Sequence, residues 1–386
     1  MRQRVWRPQL KRDPLGGRSN AFRSDEPRLG TPVIHPALLS LLLAQASDST
    51  LIARVDSAIA AEARAGFSGV ILIARGERVL LEKAYGRAAV ASSTSLPAFW
   101  LASNSKQFTA TAILRLQEAG RLRVTDSIGR FLRNVPGDKR AITIHHLLTH
   151  TSGIPTEYRA DGQIDRERAV AAILQLNLRS RPGERYFYSV DGYVLLAAIV
   201  DVASGVGYDA FIRDSLFGRA GMTHSGVWGQ EPRDVRIAAV ADPRRVREMP
   251  TTIYRNGHAV ENWGYRGTTG AYTTASDFHR WVQALRSGKV LTDTSVRALL
   301  GRHVLVSEDS IRQTFTGYGW GVTVVDGRDI SYGHNGDEDW LGHNSVVRFA
   351  PDGGIVAVFS NSGEAEGRPW SARLNQMIRR IMSPPR

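Results

Sequence analysis

The chain has 386 residues, is 42% hydrophobic and 23% charged, carries a net charge of +13 and has no cysteine. That size fits one large domain or two lobes on a shared core, and the missing cysteines exclude disulfides, thiolate metal sites and a cysteine nucleophile. Residues 1–31 hold eight basic and three acidic residues, so a tail carries +5 of the excess; the rest is mostly arginine scattered along the chain with no aromatic-interleaved stripe, which argues against nucleic-acid binding.

In chain order, residues 1–31 are basic, aperiodic and rich in Pro, Gly and Arg, the composition of a disordered tail. Val33 to Leu43 is apolar and ends in Ala44-Gln45-Ala46, the pattern of a signal-peptide core with its cleavage site, leaving Ser47-Asp48-Ser49 as a new N-terminus. The expectation is an exported protein, periplasmic or secreted, with tail and signal over 1–46 and one domain over 47–386. Otherwise the segment is a short helix on the domain and the protein is cytoplasmic. No later stretch has the ~18 uninterrupted apolar residues of a bilayer span, so no integral span is expected after signal removal.

Leu51 to Ala65 has helical spacing, and Gly69–Ala74 and Arg78–Ala84 read as a hairpin turning at Arg75-Gly76-Glu77. A helix is predicted from Ser103 to Ala119, with Phe108, Ala112, Ile113 and Leu116 on one stripe and Gly120 as its stop. Residues 121–270 alternate helical stretches with Gly/Pro-rich loops, and Ser276–Leu285 is another helix with Asp277 in its first turn. Strands return at Gly319–Val325, Ile330–His334, Asn344–Phe349 and Ile355–Ser360, before a closing helix from Trp370 to Ile381. Strands at both ends and helices between predict an α+β fold: one antiparallel sheet from both termini, flanked by helices, with a mainly helical lobe inserted over about 110–270.

Ser103-Asn104-Ser105-Lys106 opens the predicted helix, and residues three apart share a helix face. A serine hydroxyl needs a nearby base to become a nucleophile, and a lysine amine one turn away is a candidate. Tyr188 falls in a loop just before the apolar run Gly192–Val200, where a phenol beside a lysine can accept and return a proton. His334-Asn335-Gly336 ends a strand, where a small residue lets a substrate approach a backbone donor.

In that order these motifs resemble the serine β-lactamase and penicillin-binding protein superfamily, nearest its class C, D-alanyl-D-alanine carboxypeptidase and esterase branch. Ser103-Asn104-Ser105-Lys106 resembles the first motif, Tyr188-Ser189-Val190 stands where Tyr-x-Asn is expected, and His334-Asn335-Gly336 where Lys/His-x-Gly is expected. The run Ile142–Pro155, containing Leu147-Leu148-Thr149-His150-Thr151-Ser152-Gly153, is similar to a longer signature, and Gly221–Ser225 and Thr273–Asp277 add landmarks. The resemblance implies the β-lactamase/transpeptidase-like fold and an acyl-enzyme serine hydrolase acting on esters or amides without metal or other cofactor. Its partner would be a small-molecule or peptide substrate, and the oligomeric state stays open. Ser103 would be acylated, Lys106 would help deprotonate it, Tyr188 would relay the proton and later activate water, and His334 would orient Tyr188 and substrate. The N–H groups of Ser103 and Asp337, just past Gly336, would hold the oxyanion, with Asn335 and the position of Val190 at the substrate.

Two departures qualify the resemblance. Val190 cannot make the hydrogen bonds of the expected asparagine, which disfavours β-lactams and D-amino-acid peptides; Asp191 compensates only if it faces the same way. Asp337-Glu338-Asp339 beside the third motif is either a solvated loop tip or a selector of cationic substrates. The competing readings are a true β-lactamase or D,D-carboxypeptidase, and a non-catalytic binding protein on the same fold. His145, His146 and His150 suggest a metal but lack a carboxylate at zincin spacing. Trp263, Tyr265 and Tyr272 would wall the cleft or pack a loop, Glu157 and Tyr158 would lie on a loop surface, and His343 and Asn344 would be structural.

Overall fold

The computed structural model describes residues 36–90, 96–229, 235–241, 254–255, 258–259, 262–338, 342–365 and 367–382. Residues 1–35 of the predicted tail and signal lie outside the described residues; the chain divides into a unit over Met1–Ala46 and a unit over Ser47–Arg386. The first helix, α1, is Pro36–Arg64, longer than the predicted 51–65 because no glycine or proline interrupts it before Gly66.

The second unit is built on an eight-stranded antiparallel sheet. Its strands are β1 (Gly69–Arg75), β2 (Arg78–Tyr85), β3 (Val304–Glu308), β4 (Arg312–Thr316), β5 (Gly321–Val325), β6 (Arg328–Glu338), β7 (His343–Phe349) and β8 (Gly354–Ser360). The spatial order is β2-β1-β8-β7-β6-β5-β4-β3: six C-terminal strands form a meander, and the N-terminal hairpin joins it through β1 against β8, Ile71 opposite Val358. This is the two-ended sheet expected from the sequence. Strands β3 and β4 escaped the reading because β3 is exposed along most of both faces, so its side chains lack the period-2 apolar signal.

Alternation divides the core. Ile71, Ile73 and Val358 face Val55 and Ile59 of α1 and Trp370, Leu374 and Ile378 of the last helix. Val70, Leu72, Ala357 and Phe359 face the helical lobe. That lobe is organised by α2 (Lys106–Glu118) and α3 (Val190–Ser204), and every residue of α3 from Val190 to Val200 is buried. A three-stranded sheet of Phe99–Trp100, Ala271–Thr273 and Gly226–Val227 carries the chain into the first motif.

Two of the sequence landmarks meet in space. The Asp277 carboxylate, fully buried in the helix Ala275–Arg286, accepts from the His224 N–H at 2.6 Å and the Ser225 hydroxyl at 2.8 Å. This ties Gly221–Ser225 to Thr273–Asp277, and a buried carboxylate requires such partners.

Candidate active site

Ser103 does not lie in the first turn of an α-helix. It sits in a 3-10 turn, Ala102–Ser105, and the α-helix begins at Lys106. The cause is Ala102, fully buried with a left-handed φ of 50°. Such a conformation costs roughly 1–2 kcal/mol for a residue with a Cβ and persists only where its surroundings impose it. Here the Leu101 N–H donates to the Ala271 carbonyl at 2.9 Å and the Ala271 N–H to Ser105 Oγ at 2.9 Å, so the small sheet grips both ends of the turn.

The main sheet holds the turn from the other side. A Cβ on Gly336 would lie 2.0 Å from the Leu101 carbonyl oxygen. The glycine is therefore demanded by the backbone that precedes Ser103. Asn104, fully buried, bridges the two segments. Backbone donors and acceptors fix its amide orientation: its nitrogen donates to the His334 carbonyl at 3.2 Å and its oxygen accepts from the Gly336 N–H at 3.2 Å. His343 completes the seam, with Nδ1 accepting from the Trp100 N–H at 3.2 Å and Nε2–H donating to the Ala238 carbonyl at 3.0 Å. Burial pushes its imidazole down to about 4, so it is neutral and structural.

Within this frame Lys106 Nζ lies 3.1 Å from Ser103 Oγ and donates to the Thr268 carbonyl at 3.2 Å. Lys106 is fully buried while Ser103 remains partly exposed. The ammonium position is 5.1 Å from the centre of the Tyr188 ring and 5.7 Å from that of Tyr193. Tyr188 precedes α3 as expected, and Ser189 caps the helix by accepting from the Gly192 N–H at 2.9 Å. The first and second motifs thus converge on one amine.

His334 joins them, its ring centroid 6.3 Å from that of Tyr188. Its Nδ1 stands 2.5 Å from the Asn335 carbonyl, which can only accept, so Nδ1 carries the proton and Nε2 is the acceptor. Burial, and then the Lys106 charge, lower its pKa to about 3. The third motif therefore presents a neutral imidazole at pH 7. The next side chain is occupied differently: Asn335 Oδ1 accepts from Arg348 Nη2 at 2.6 Å. Gly336, Asp337 and Glu338 continue β6 opposite Ser345, Asn344 and His343. Two of the three acids thus belong to the sheet rather than to a loop tip, because strand pairing runs past Gly336; Asp339 lies outside the described residues.

Val190 is 4% exposed, and its N–H donates to Thr156 Oγ1 at 3.0 Å. Asp191 does not stand in for the asparagine: its carboxylate accepts from the backbone N–H groups of Glu157, Tyr158 and Arg159. Of the histidines first weighed as metal ligands, His146 completes a capping box with Thr143 and His145 Nδ1 pairs with the Tyr318 hydroxyl at 2.8 Å. His150 belongs to the site in another way. It has a φ of 59°, its Nδ1 accepts from the Ser189 N–H at 3.0 Å, and its ring lies 4.5 Å from that of Tyr188. Burial, and then the Lys106 charge, hold it far below its ordinary pKa.

Of the aromatic residues weighed for the cleft, Trp263 is buried, Tyr265 is half-buried beside a small cavity that Ser105 also lines, and Tyr272 is core. Tyr272 is fully buried against Trp100, 5.4 Å between ring centroids, and Tyr265 stacks on Trp228 at 5.4 Å. Asn104, His150, Tyr193 and Thr156 are the supporting residues that sequence reasoning missed. Two of them stood in quoted motifs, Asn104 inside Ser103-Asn104-Ser105-Lys106 and His150 in the Leu-Leu-Thr-His-Thr-Ser-Gly run, but the role of each of the four depends on contacts between distant segments.

Fold and site together define a protein of the serine β-lactamase and penicillin-binding protein class. A family model described as Beta-lactamase matches residues 54–375, and the chain belongs to that family. It is 29% identical over 305 residues to a putative penicillin-binding protein, PbpX, of Bacillus subtilis, covering 77% of this chain and 71% of that one. The crystal structure of a penicillin-binding protein from Bacillus halodurans matches with a TM-score of 0.67 and 26% identity, over 82% of this chain and 96% of that one. A D-amino acid amidase from Ochrobactrum anthropi SV3, complexed with D-phenylalanine, shares the fold with a TM-score of 0.69 at 18% identity, over 86% of this chain and 99% of that one.

Proposed function

We propose that this protein is a serine hydrolase that works through an acyl-enzyme on Ser103 and cleaves esters or simple amides. The observation that carries the reading is the 3.1 Å contact between Ser103 Oγ and the fully buried Lys106 Nζ, with the Tyr188 ring over the same amine. Ser103 attacks the carbonyl carbon while its proton passes to the Lys106–Tyr188 pair. The tetrahedral oxyanion lies between the N–H groups of Ser103 and Asp337, a type of donor worth about 3 kcal/mol each. Collapse expels the leaving group, which takes the proton back through Tyr188. Water, deprotonated by the same pair, then attacks the acyl carbon and restores Ser103. Lys106 Nζ lies against the Tyr188 ring, so the base is assigned to the pair rather than to either group.

The substrate class follows from two side chains. Val190 offers no amide to an acylamino substituent, and the neutral His334 offers no full charge to a substrate carboxylate. Both favour small esters and amides over penicillins and D-amino-acid peptides. Export is part of the proposal: the Ala44-Gln45-Ala46 site ends where the compact unit begins, at Ser47.

Steady-state assays with a p-nitrophenyl ester and with nitrocefin test this reading. Ester turnover that drops at least about 1,000-fold in Ser103→Ala, with nitrocefin poorly cleaved, is the expected result. Rapid nitrocefin turnover would restore the β-lactamase reading. Silence towards both from a well-folded protein would favour a binding protein.

A further inference from the structure

Asp191 has no role in the acyl transfer just described, yet it is a fully buried carboxylate in the first turn of α3. Burying an isolated carboxylate is expensive unless it is hydrogen-bonded. Asp191 satisfies this with three consecutive backbone donors: Oδ2 accepts from Glu157 at 2.7 Å and Tyr158 at 2.9 Å, and Oδ1 from Arg159 at 2.8 Å. The three N–H groups converge because Tyr158 adopts a left-handed φ of 52°, the alternation that makes a backbone nest for an anion. The chain thus supplies its own anion to a nest at its own loop.

The same two segments are joined at every neighbouring position. Thr156 Oγ1 donates to the Tyr188 carbonyl at 2.9 Å and accepts from the Val190 N–H at 3.0 Å, spanning both sides of Ser189. Ser189 Oγ in turn donates to the Pro155 carbonyl at 3.1 Å. Residues 188, 189, 190 and 191 are therefore each tied to the stretch 155–159, and Asp191 holds the far end of that stretch. Val190 has no polar side-chain atom with which to hold this turn from the cleft side.

We infer that Asp191 and Thr156 are positioning residues that set the Tyr188 hydroxyl against Lys106 and Ser103. Asp191 fixes the loop, the loop fixes Thr156, and Thr156 fixes the backbone on both sides of Ser189. The inference rests on Tyr188 acting as proton carrier. Misplacing a reacting group by about 1 Å costs on the order of 100-fold in rate. Asp191→Ala should lower kcat by about that factor while KM changes less than about threefold. Asp191→Asn, which keeps one acceptor oxygen, should recover part of the loss. Thr156→Ser should be near wild type and Thr156→Val impaired.

Three measurements decide it: kcat and KM on a p-nitrophenyl ester, hydrogen exchange at the amides of 157–159, and the crystal structure of Asp191→Ala. Fast exchange with a kcat loss restored in the order Ala, Asn, Asp supports the clamp. A folded Asp191→Ala with wild-type kcat, or with kcat falling only in step with its melting temperature and Asp191→Asn no better, overturns it. If Asp191→Ala does not fold, Asp191→Asn and Thr156→Val carry the same comparison. Should the wild type be inert towards every acyl donor, it is the hydrolase reading that fails. The clamp is then judged by the crystal structures: a Tyr188 hydroxyl displaced by about 1 Å supports it, and an unmoved one overturns it.

Discussion

The two walls of the cleft are built differently. The Ser103 wall is built on the turn at Ala102, which is held by the Leu101 N–H on the Ala271 carbonyl, by Ser105 Oγ and the Asn104 side-chain amide on backbone groups, and by the close approach of Gly336 to the Leu101 carbonyl. The Tyr188 wall is held by side chains reaching to backbone: Thr156, Ser189, Asp191 and the ring of His150. Both walls carry left-handed residues, Ala102 in the first and His150 and Tyr158 in the second, but in the first the Gly336 backbone also presses on the Leu101 carbonyl and leaves little room to shift. The second can be retuned one side chain at a time.

The largest effect that would sharpen this contrast is expected from Gly336→Ala. The added methyl would sit 2.0 Å from the Leu101 carbonyl oxygen, a main-chain neighbour that cannot rotate away. Denaturant unfolding should show a loss of about 3 kcal/mol or more, with ester hydrolysis lost too. A variant as stable as wild type would mean that the Ser103 wall is not rigid.

Acid should loosen the same wall next. His343 is neutral in the folded protein, its pKa held at about 4 against an ordinary 6.5. The unfolded chain takes up the proton below about 6.5 and the folded chain does not, so the stability is complete above that pH and is lost as pH falls towards 4. The loss from this one group reaches about 3 kcal/mol by pH 4. Melting curves across that range should show it, and they should flatten in His343→Gln; identical pH dependence in the two proteins would refute the assignment. On the other wall a smaller change is expected. Tyr193→Phe removes a buried hydroxyl that donates to the Leu148 carbonyl at 2.9 Å, worth about 1 kcal/mol. A loss several times larger would show that the Tyr188 wall is as unyielding as the Ser103 wall.

Much of this molecule was legible in its sequence, for identifiable reasons. The apolar runs of β1, β2 and β5 to β8 were legible as strands, whereas β3 is mostly exposed and β4, Arg312-Gln313-Thr314-Phe315-Thr316, has a single large apolar residue, so neither left an apolar strand pattern. Ser103, Lys106, Tyr188 and His334 were legible because each sits in a short local motif. Their protonation was not: the neutrality of His334 comes from burial and from the Lys106 charge, which only the folded chain brings together. The 3-10 turn was missed because helical periodicity does not encode the left-handed φ at Ala102. Asp191 was judged by its place after Val190, and its real partners lie 32 to 34 residues earlier.

The central claim is that Ser103 carries the acyl group. Intact-mass spectrometry after incubation with a p-nitrophenyl ester tests it directly, with peptide mapping of any adduct and Ser103→Ala as control. The account predicts a single acyl adduct on the peptide containing Ser103, absent from the control. An adduct on another residue, or one that persists in Ser103→Ala, would contradict it.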